Sequence, residues 1–137
     1  MLEHIRILPR GDKVWHAKLI YRASRDGWEP KDFHDRCDEQ GATLTVIRTD
    51  SGKLAAGFTS VPWETPTLYD VLRFNCDKTD PSARLFALTN QLQVFRPGNE
   101  KFATRHSKQI GPMFSQALLV AGPIMNQKDC GMCKTGN

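Results

Sequence analysis

Residues 21–41 read YRASRDGWEPKDFHDRCDEQG and hold the groups of this chain best suited to chemistry. The hydroxyl, imidazole, thiol and carboxylate groups used in nucleophilic catalysis or metal binding belong here to Ser24, Asp26, His34, Asp35, Cys37 and Asp38. His34 and Cys37 are three positions apart, so a helix would bring their side chains close enough for a cysteine–histidine nucleophilic pair. The alternative is that these residues stabilise a turn and a helix.

A short helix is predicted over about residues 30–39. Pro30 suits the first helical position, where a missing N–H costs nothing, and Gly41 suits a left-handed stop after the last turn. Phe33 and Cys37 are four positions apart and share one face of this helix. We therefore expect Cys37 to point inward as a small apolar side chain.

His34 follows Phe33, which places it at the margin of the buried face. A histidine there is more often a structural residue bonded to a backbone carbonyl than a catalyst or metal ligand, and this reading is favoured. Ser24 and Asp26 precede Gly27 in a turn, where such side chains bond nearby backbone N–H groups. The nucleophile elbow G-x-S-x-G, phosphate-binding glycine loops, H-E-x-x-H and EF-hand patterns do not occur in the sequence. The residues alone therefore indicate no catalytic set and no bound cofactor.

Cys130 and Cys133 form a C-x-x-C pair, the half-site that zinc or a redox dithiol uses. A structural zinc needs four ligands, and no second pair with matching spacing follows. His34 and Cys37 would complete the set only by folding back across most of the chain. Reduced thiols without a metal are the favoured interpretation.

Composition and charge narrow the class of protein. A chain of 137 residues with 39% hydrophobic and 25% charged residues suits one globular domain. The net charge is +4, but basic residues usually stand beside acidic ones, so no concentrated nucleic-acid-binding face is predicted. The sequence lacks an apolar run long enough to cross a membrane, and its N-terminus does not resemble a secretory signal. A cytoplasmic location is the expectation.

Most of the chain has strand character. The segment 13–22 fits either a helix end or a buried strand, whereas 43–49 and 53–60 alternate around a DSG turn as a hairpin. A second strand pair is predicted at 83–89 and 92–95. The apolar segment 114–125 is expected to form another buried strand. The predicted class is mainly β with short helices (α+β) and antiparallel strands.

The ordered motifs of this chain resemble those of the TLDc domain family. The matching stretch runs YRASRDGWEPKDFHDRCDEQGATLTVIRTDSGKLAAGFTSVPW, followed later by LFALTN (85–90) and IGPMF (110–114). The motif positions most informative for the family are Tyr21, Arg22, Ser24, Asp26, Gly27, Phe33, His34, Cys37, Asp38, Gly57, Thr59, Pro62 and Trp63. The resemblance covers residues 15 to about 125.

The resemblance implies a sandwich of two antiparallel sheets flanked by short helices. On this basis residues 1–12 are an N-terminal extension, 13–125 the TLDc-like domain and 126–137 a C-terminal tail. The resemblance also implies a non-catalytic interaction module that binds or regulates the vacuolar-type proton ATPase (V-ATPase) and is linked to oxidation resistance. The partner is thus expected to be a protein, either V-ATPase subunits or a larger assembly, and the oligomeric state is left open.

Three departures from the family pattern leave alternatives open. Residues 55–57 read Ala-Ala-Gly in place of aromatic-Gly-Gly, the acid expected after Phe114 is missing, and the sequence closes on KDCGMCKTGN, where members of the family normally continue with a tyrosine-containing stretch and a final strand. A sandwich lacking its last strand has an unpaired edge. The chain would then be a fragment, a divergent short member, or a structural component of an assembly completed by strand addition. An enzyme that uses Cys37 and His34 is the remaining alternative.

Overall fold

The fold is that of a computed structural model of the chain, which describes residues 2–9, 15–72, 76–88, 90–114 and 118–119. The strands are β1 (Leu2–Pro9), β2 (Trp15–Arg22), β3 (Thr43–Arg48), β4 (Leu54–Thr59), β5 (Asp77–Lys78), β6 (Arg84–Leu88), β7 (Leu92–Phe95), β8 (Thr104–Arg105), β9 (Met113–Phe114) and β10 (Leu118–Leu119). The helices are α1 (Ala23–Asp26), α2 (Pro30–Cys37) and α3 (Leu68–Leu72), and a 3₁₀ turn spans Glu100–Phe102. Within these described ranges, no helix combines the length and the apolar character that crossing a membrane requires.

The strands form two antiparallel sheets, which confirms the predicted fold class. The larger sheet has six strands in the order β2-β1-β3-β4-β6-β7, and the smaller has four in the order β10-β9-β8-β5. Both predicted hairpins are confirmed as β3–β4 and β6–β7. Their apolar residues alternate with the period of two that a pleated strand imposes.

Segment 13–22, which the sequence left between helix and strand, contributes strand β2. Residues 2–9 form β1, which pairs with both β2 and β3, although sequence analysis assigned them to an extension. The predicted strand over 114–125 is described only at Phe114 and at 118–119. Residues 126–137, with Cys130 and Cys133, lie outside the described residues.

The two faces of the larger sheet differ in what covers them. Thr43, Thr45, Gly57 and Thr59 are buried on one face, called here the inner face, and Leu85 packs against the core from the same side. Side chains of successive strand residues point to opposite faces, so the register assigns the residues that alternate with these to the outer face. Arg48 and Arg84 lie on the outer face together with a set of apolar residues. Those residues are Leu44, Val46, Leu54, Ala56, Phe58, Phe86, Leu92 and Val94, called here the outer apolar face.

The core lies between the inner face, α2 and the smaller sheet. It is built from Leu2, Tyr21, Ala23, Phe33, Cys37, Trp63 and Phe114, all buried. Gly57 permits the closest approach between the sheets. A Cβ built at Gly57 would lie 2.5 Å from the Phe114 ring, so only glycine leaves room for this side chain.

Helix α2 is shorter than predicted. Pro30 occupies its first turn, and the backbone N–H of Glu29 donates to the Asp32 carboxylate at 3.1 Å. The helix ends at Cys37, because Asp38 becomes extended and forms a parallel bridge with Trp63. The left-handed turn that follows begins at Glu39, with φ 59°, ahead of the predicted Gly41 with φ 79°.

Candidate functional site

His34 joins α2 to the turn between β8 and β9. Its Nε2 lies 2.9 Å from the Ser107 carbonyl oxygen and 3.1 Å from that of Ile110. Its Nδ1 lies 2.8 Å from a carboxylate oxygen of Asp38, one helical turn away. The side chain is 7% exposed, so this is the carbonyl-bonded position expected for His34.

The surroundings of His34 favour its charged form. Burial lowers the pKa of the imidazole, but the hydrogen bond and charge of Asp38, with the two carbonyls, raise the pKa above its usual value. Every neighbour within hydrogen-bonding distance of the ring accepts, so both ring nitrogens must carry a proton to satisfy all three contacts. His34 is therefore a positively charged clasp between two distant segments.

Asp38 is the centre of a small polar junction at the end of α2. One carboxylate oxygen accepts from His34, and the other accepts from the Thr65 hydroxyl at 2.7 Å. The backbone N–H of the next residue, Glu39, donates to the Trp63 carbonyl at 2.8 Å. The helix end is thus fixed to the loop that carries Trp63.

Trp63 occupies the centre of the aromatic core. Its ring meets Phe33 and Phe114 edge to face, with centroids 5.8 Å and 5.5 Å away. Its indole N–H donates to the Thr43 hydroxyl at 3.0 Å, so the one polar atom of the ring is satisfied. The His106 ring lies tilted against it at 4.9 Å.

His106 has the opposite electrostatic character to His34. Burial lowers the pKa of its imidazole to about 4, a shift that the nearby Glu64 charge only partly opposes. Nδ1 accepts from the backbone N–H of Glu64 at 3.2 Å, which leaves Nε2 to donate to the Thr104 hydroxyl at 3.2 Å. His106 is therefore neutral and held in one tautomer.

Asp80 is a second buried carboxylate with several donors around it. It accepts from the Thr59 hydroxyl, and from both the hydroxyl and the backbone N–H of Ser60 and of Ser82, at distances of 2.6–2.9 Å. Burial raises the pKa of this carboxyl, but the hydrogen bonds from Ser82, Thr59 and Ser60 outweigh it and lower the pKa to about 2. This charge fixes the end of β4 to the segment before β6.

Cys37 is fully buried, on the same side of α2 as Phe33. Burial raises the pKa of its thiol well above the usual value, and the Asp38 charge adds to this effect. A reactive cysteine needs exposure and a lowered pKa. The thiol therefore packs in the core, and its position does not support a cysteine–histidine nucleophile.

The turn at residues 21–27 is stabilised by its own side chains. The Tyr21 hydroxyl donates to the Gly27 carbonyl at 2.7 Å, and the Arg22 backbone N–H donates to the Asp26 carboxylate at 2.8 Å. The Arg25 guanidinium contacts the same carboxylate through two nitrogens and lowers the pKa of Asp26 well below its usual value. Ser24 is exposed on the first turn of helix.

Gly27 has φ 114°, and a Cβ there would lie 2.0 Å from the Asp32 carboxylate. A glycine is required at this position for both reasons. Pro62 is exposed beside Trp63. The motif positions thus lie along one continuous structural path from β2 through α2 to the Trp63 loop. Arg22 forms an ion pair with Glu3 of β1 through Nη2 at 2.8 Å, while its buried Nε has no hydrogen-bond partner among the described residues.

Two buried residues were missed by sequence reasoning. Asp80 and His106 act on partners 20–42 positions away, which no local pattern displays. The run Asp80-Pro81-Ser82 is typical of a turn in which aspartate binds nearby N–H groups, and this could have indicated Asp80. Among the described residues, no group of three or more His, Cys, Asp or Glu side chains is arranged to hold a metal ion.

A family model named TLDc domain matches residues 2–116 of the chain. The chain belongs to the TLDc domain family. The match confirms the resemblance carried by the motifs of residues 21–63. It also begins within β1, so the first strand is part of what the TLDc model recognises. Comparisons with curated proteins and with solved structures give no match.

Proposed function

We propose that this TLDc domain is a non-catalytic module that binds a protein partner, with subunits of the V-ATPase as that partner. The observation that carries the proposal is the outer apolar face, which crosses four strands of the larger sheet. Leu92 and Val94 on this face are 62% and 55% exposed. The other residues of this face, on β3, β4 and β6, are half-buried. Apolar side chains grouped on a partly exposed sheet face are typical of interaction sites.

The buried groups support a non-catalytic role. His34 is held by three acceptors, His106 by two partners, and the Cys37 thiol is sealed in the core. A catalytic group must reach a substrate within hydrogen-bonding distance. These side chains instead face the protein interior.

The choice of V-ATPase rests on membership of the TLDc family. The resemblance of this chain to that family implies V-ATPase regulation and protection against oxidative damage. A cytoplasmic site of action belongs to the same proposal. Binding would use the exposed sheet surface and leave the internal polar network unchanged.

The test is capture of V-ATPase subunits by the immobilised, folded chain, read out by mass spectrometry. We expect enrichment with the wild type and with Lys31→Glu, which changes an exposed side chain on α2. Val94→Asp, which puts a charge on the outer apolar face, should reduce that enrichment. Circular dichroism of each bait verifies folding. Equal or absent enrichment of pump subunits with wild type and Val94→Asp would count decisively against the proposal.

The enzyme alternative has its own test. In a variant with Cys76→Ala, Cys130→Ala and Cys133→Ala, Cys37 is the only thiol. We expect no labelling by a thiol reagent until denaturant unfolds the chain, because burial both hides the sulfur and raises the pKa of the thiol. Rapid labelling under native conditions would favour a Cys37-dependent enzyme.

Strand addition is a second candidate function, favoured by β7. Among the described strands, β7 forms one edge of the larger sheet and its four residues are all exposed. Its sequence LQVF contains no charge or proline that would block pairing. A chain completed this way would be a structural component of an assembly. A purified chain that is monomeric and unfolds in one cooperative step would argue against this candidate.

A further inference from the structure

The outer apolar face has an unusual distribution of charge. Its residues on β3, β4, β6 and β7 are apolar in the central rows, where Val46, Ala56, Phe86 and Val94 stand side by side. The charged side chains described on this face of the four strands are two arginines, Arg48 and Arg84. Next to these strands, β1 places the acidic Glu3 opposite Val46 on the same face, where it is ion-paired with Arg22 at 2.8 Å. The strands β3, β4, β6 and β7 thus present an apolar surface with positive charge at its ends.

The strand register fixes where the two arginines stand. Arg48 on β3 lies opposite Leu54 of β4, and Arg84 on β6 lies opposite Phe58 of β4. Leu54 and Phe58 are four residues apart, or about 13 Å along the strand. The arginines therefore flank β4 at opposite ends and on opposite sides.

The Arg84 side chain is held in place at this end of the sheet. Its Nη1 donates to the carbonyls of Pro81 at 2.9 Å and Ala83 at 2.6 Å. A guanidinium has five N–H donors in a fixed fork, so these bonds orient the group while others remain for a carboxylate. Arg48 lies at the exposed end of β3.

From this arrangement we propose that the outer apolar face binds an amphipathic helix of a partner protein, with two acidic residues about nine positions apart that pair with Arg48 and Arg84. The inference rests on the proposed function and names the chemistry of the partner. A helix about 10 Å wide covers two to three strands spaced about 4.8 Å apart. The small Ala56, between Val46 and Phe86, gives the helix its closest approach.

The spacing of nine follows from helix geometry. A rise of about 1.5 Å per residue makes 13 Å equal to about nine residues, and nine residues rotate the helix by about two and a half turns. Acidic residues nine apart therefore stand on opposite flanks of the helix, as Arg48 and Arg84 stand on opposite sides of β4. Residues seven apart would share one flank.

Other occupants fit the charges less well. A second copy of the chain would bring arginines to a face already bordered by arginines, in a protein with net charge +4. A lipid surface would require a larger basic cluster, since each basic residue contributes only about 1 kcal/mol of attraction. Both remain outcomes of the test below.

The experiment uses the full chain and designed helical peptides of about fourteen residues with one leucine-rich stripe. One peptide carries two glutamates nine positions apart, a second carries them seven apart, and a third carries lysines nine apart. Fluorescence anisotropy at low salt measures binding. We expect the first peptide to bind about tenfold or more tightly than the lysine peptide, and severalfold more tightly than the second.

Variants locate the site. Arg48→Glu and Arg84→Glu should each weaken binding of the first peptide about tenfold, because each replaces an attractive charge with one that repels the acidic helix. Lys31→Glu on α2 also replaces a positive charge with a negative one, but it lies away from this face and should leave peptide binding unchanged. Raising the salt concentration should reduce the advantage of glutamate over lysine.

Several results would overturn the inference: no peptide binding, equal affinity for all three peptides, or insensitivity to Arg48→Glu and Arg84→Glu. Concentration-dependent dimers in ultracentrifugation would assign the face to a second copy. Binding only to phosphatidylcholine vesicles that contain roughly 30% phosphatidylserine would assign it to a membrane. The peptide assay contains no pump subunit, so it is independent of the capture experiment. Capture of the pump without peptide binding would overturn this inference alone. Peptide binding without capture of the pump would overturn only the choice of V-ATPase as the partner.

Discussion

At the scale of one residue, Asp80 shows how a charge is kept inside the fold. Five donors from Thr59, Ser60 and Ser82 converge on a carboxylate that is 1% exposed. Because these hydrogen bonds replace hydration, the ionised form is favoured despite burial. The result is a fixed link between β4 and the segment that leads into β6.

We expect Asp80→Asn to lower the free energy of unfolding by about 2–3 kcal/mol, since an amide nitrogen would face donors that now point at an acceptor. Urea unfolding followed by tryptophan fluorescence measures the change. Asp50→Asn, in an exposed turn, is the matched control and should have little effect. The stability that the ionised Asp80 contributes is present above about pH 4 and is lost as the pH falls through its pKa of about 2 in the folded state. A stability loss equal to that of the control would contradict this account.

Sequence reasoning reached some of these residues and missed others for a physical reason. The inward position of Phe33 and Cys37 followed from helical spacing alone, and the carbonyl contact of His34 from its place beside that face. Asp80 and His106 depend on partners brought close only by the complete fold. Their roles are set by tertiary structure, which local spacing does not encode.

At the scale of elements, the approach of the two sheets is set at β4. Phe114 of the smaller sheet lies over Gly57, and the buried Thr59 stands two residues further along the same face. The missing side chain at Gly57 determines how close the sheets come. It also explains a glycine in a strand interior, where this residue otherwise weakens pairing.

Gly57→Ala should therefore destabilise the chain by about 1–3 kcal/mol, because the new methyl group would force the Phe114 ring to move. Gly98→Ala is the control: a Cβ there meets nothing within 4 Å. It should be neutral or slightly stabilising. Chemical denaturation of both variants gives the comparison. Equal stability of Gly57→Ala and the wild type would show that the sheets do not pack as described.

The elements that were predictable are those built from neighbouring residues. The hairpins at β3–β4 and β6–β7 have period-two alternation, and α2 has a proline start and an apolar face. The two-residue strands β5, β8 and β9 carry no period of their own. They become strands because long-range pairing places them side by side.

At the scale of the whole molecule, His34 and His106 give the fold a preferred pH range. His34 is charged in the fold and its pKa is raised. The stability that His34 contributes is therefore fully present below about pH 6.5 and is lost as the pH rises through the pKa of the folded state. His106 is neutral in the fold with a pKa of about 4. The stability that neutral His106 contributes is fully present above about pH 6.5 and declines as the pH falls towards 4.

We expect His106→Gln to flatten the acid side of the stability profile and His34→Gln to flatten the alkaline side. The shift in the pKa of His106 from about 6.5 to about 4 changes the free energy of unfolding by an amount on the order of 3 kcal/mol between pH values above and below that range. Unfolding free energies measured from pH 4 to pH 9 test both variants against the wild type. Profiles that run parallel to the wild type would exclude these histidines as the cause.

The His34 clasp also bears on the order in which the chain folds. Its Nε2 contacts join residues 73 and 76 positions apart, whereas the β3–β4 hairpin closes over a short turn. Long-range contacts form only after the entropy of closing a long loop has been overcome, so local hairpins should precede the clasp. Loss of His34 should then accelerate unfolding and leave the refolding rate nearly unchanged, which stopped-flow fluorescence can measure. The histidine that fastens the two segments would in this way set how long the native state lasts.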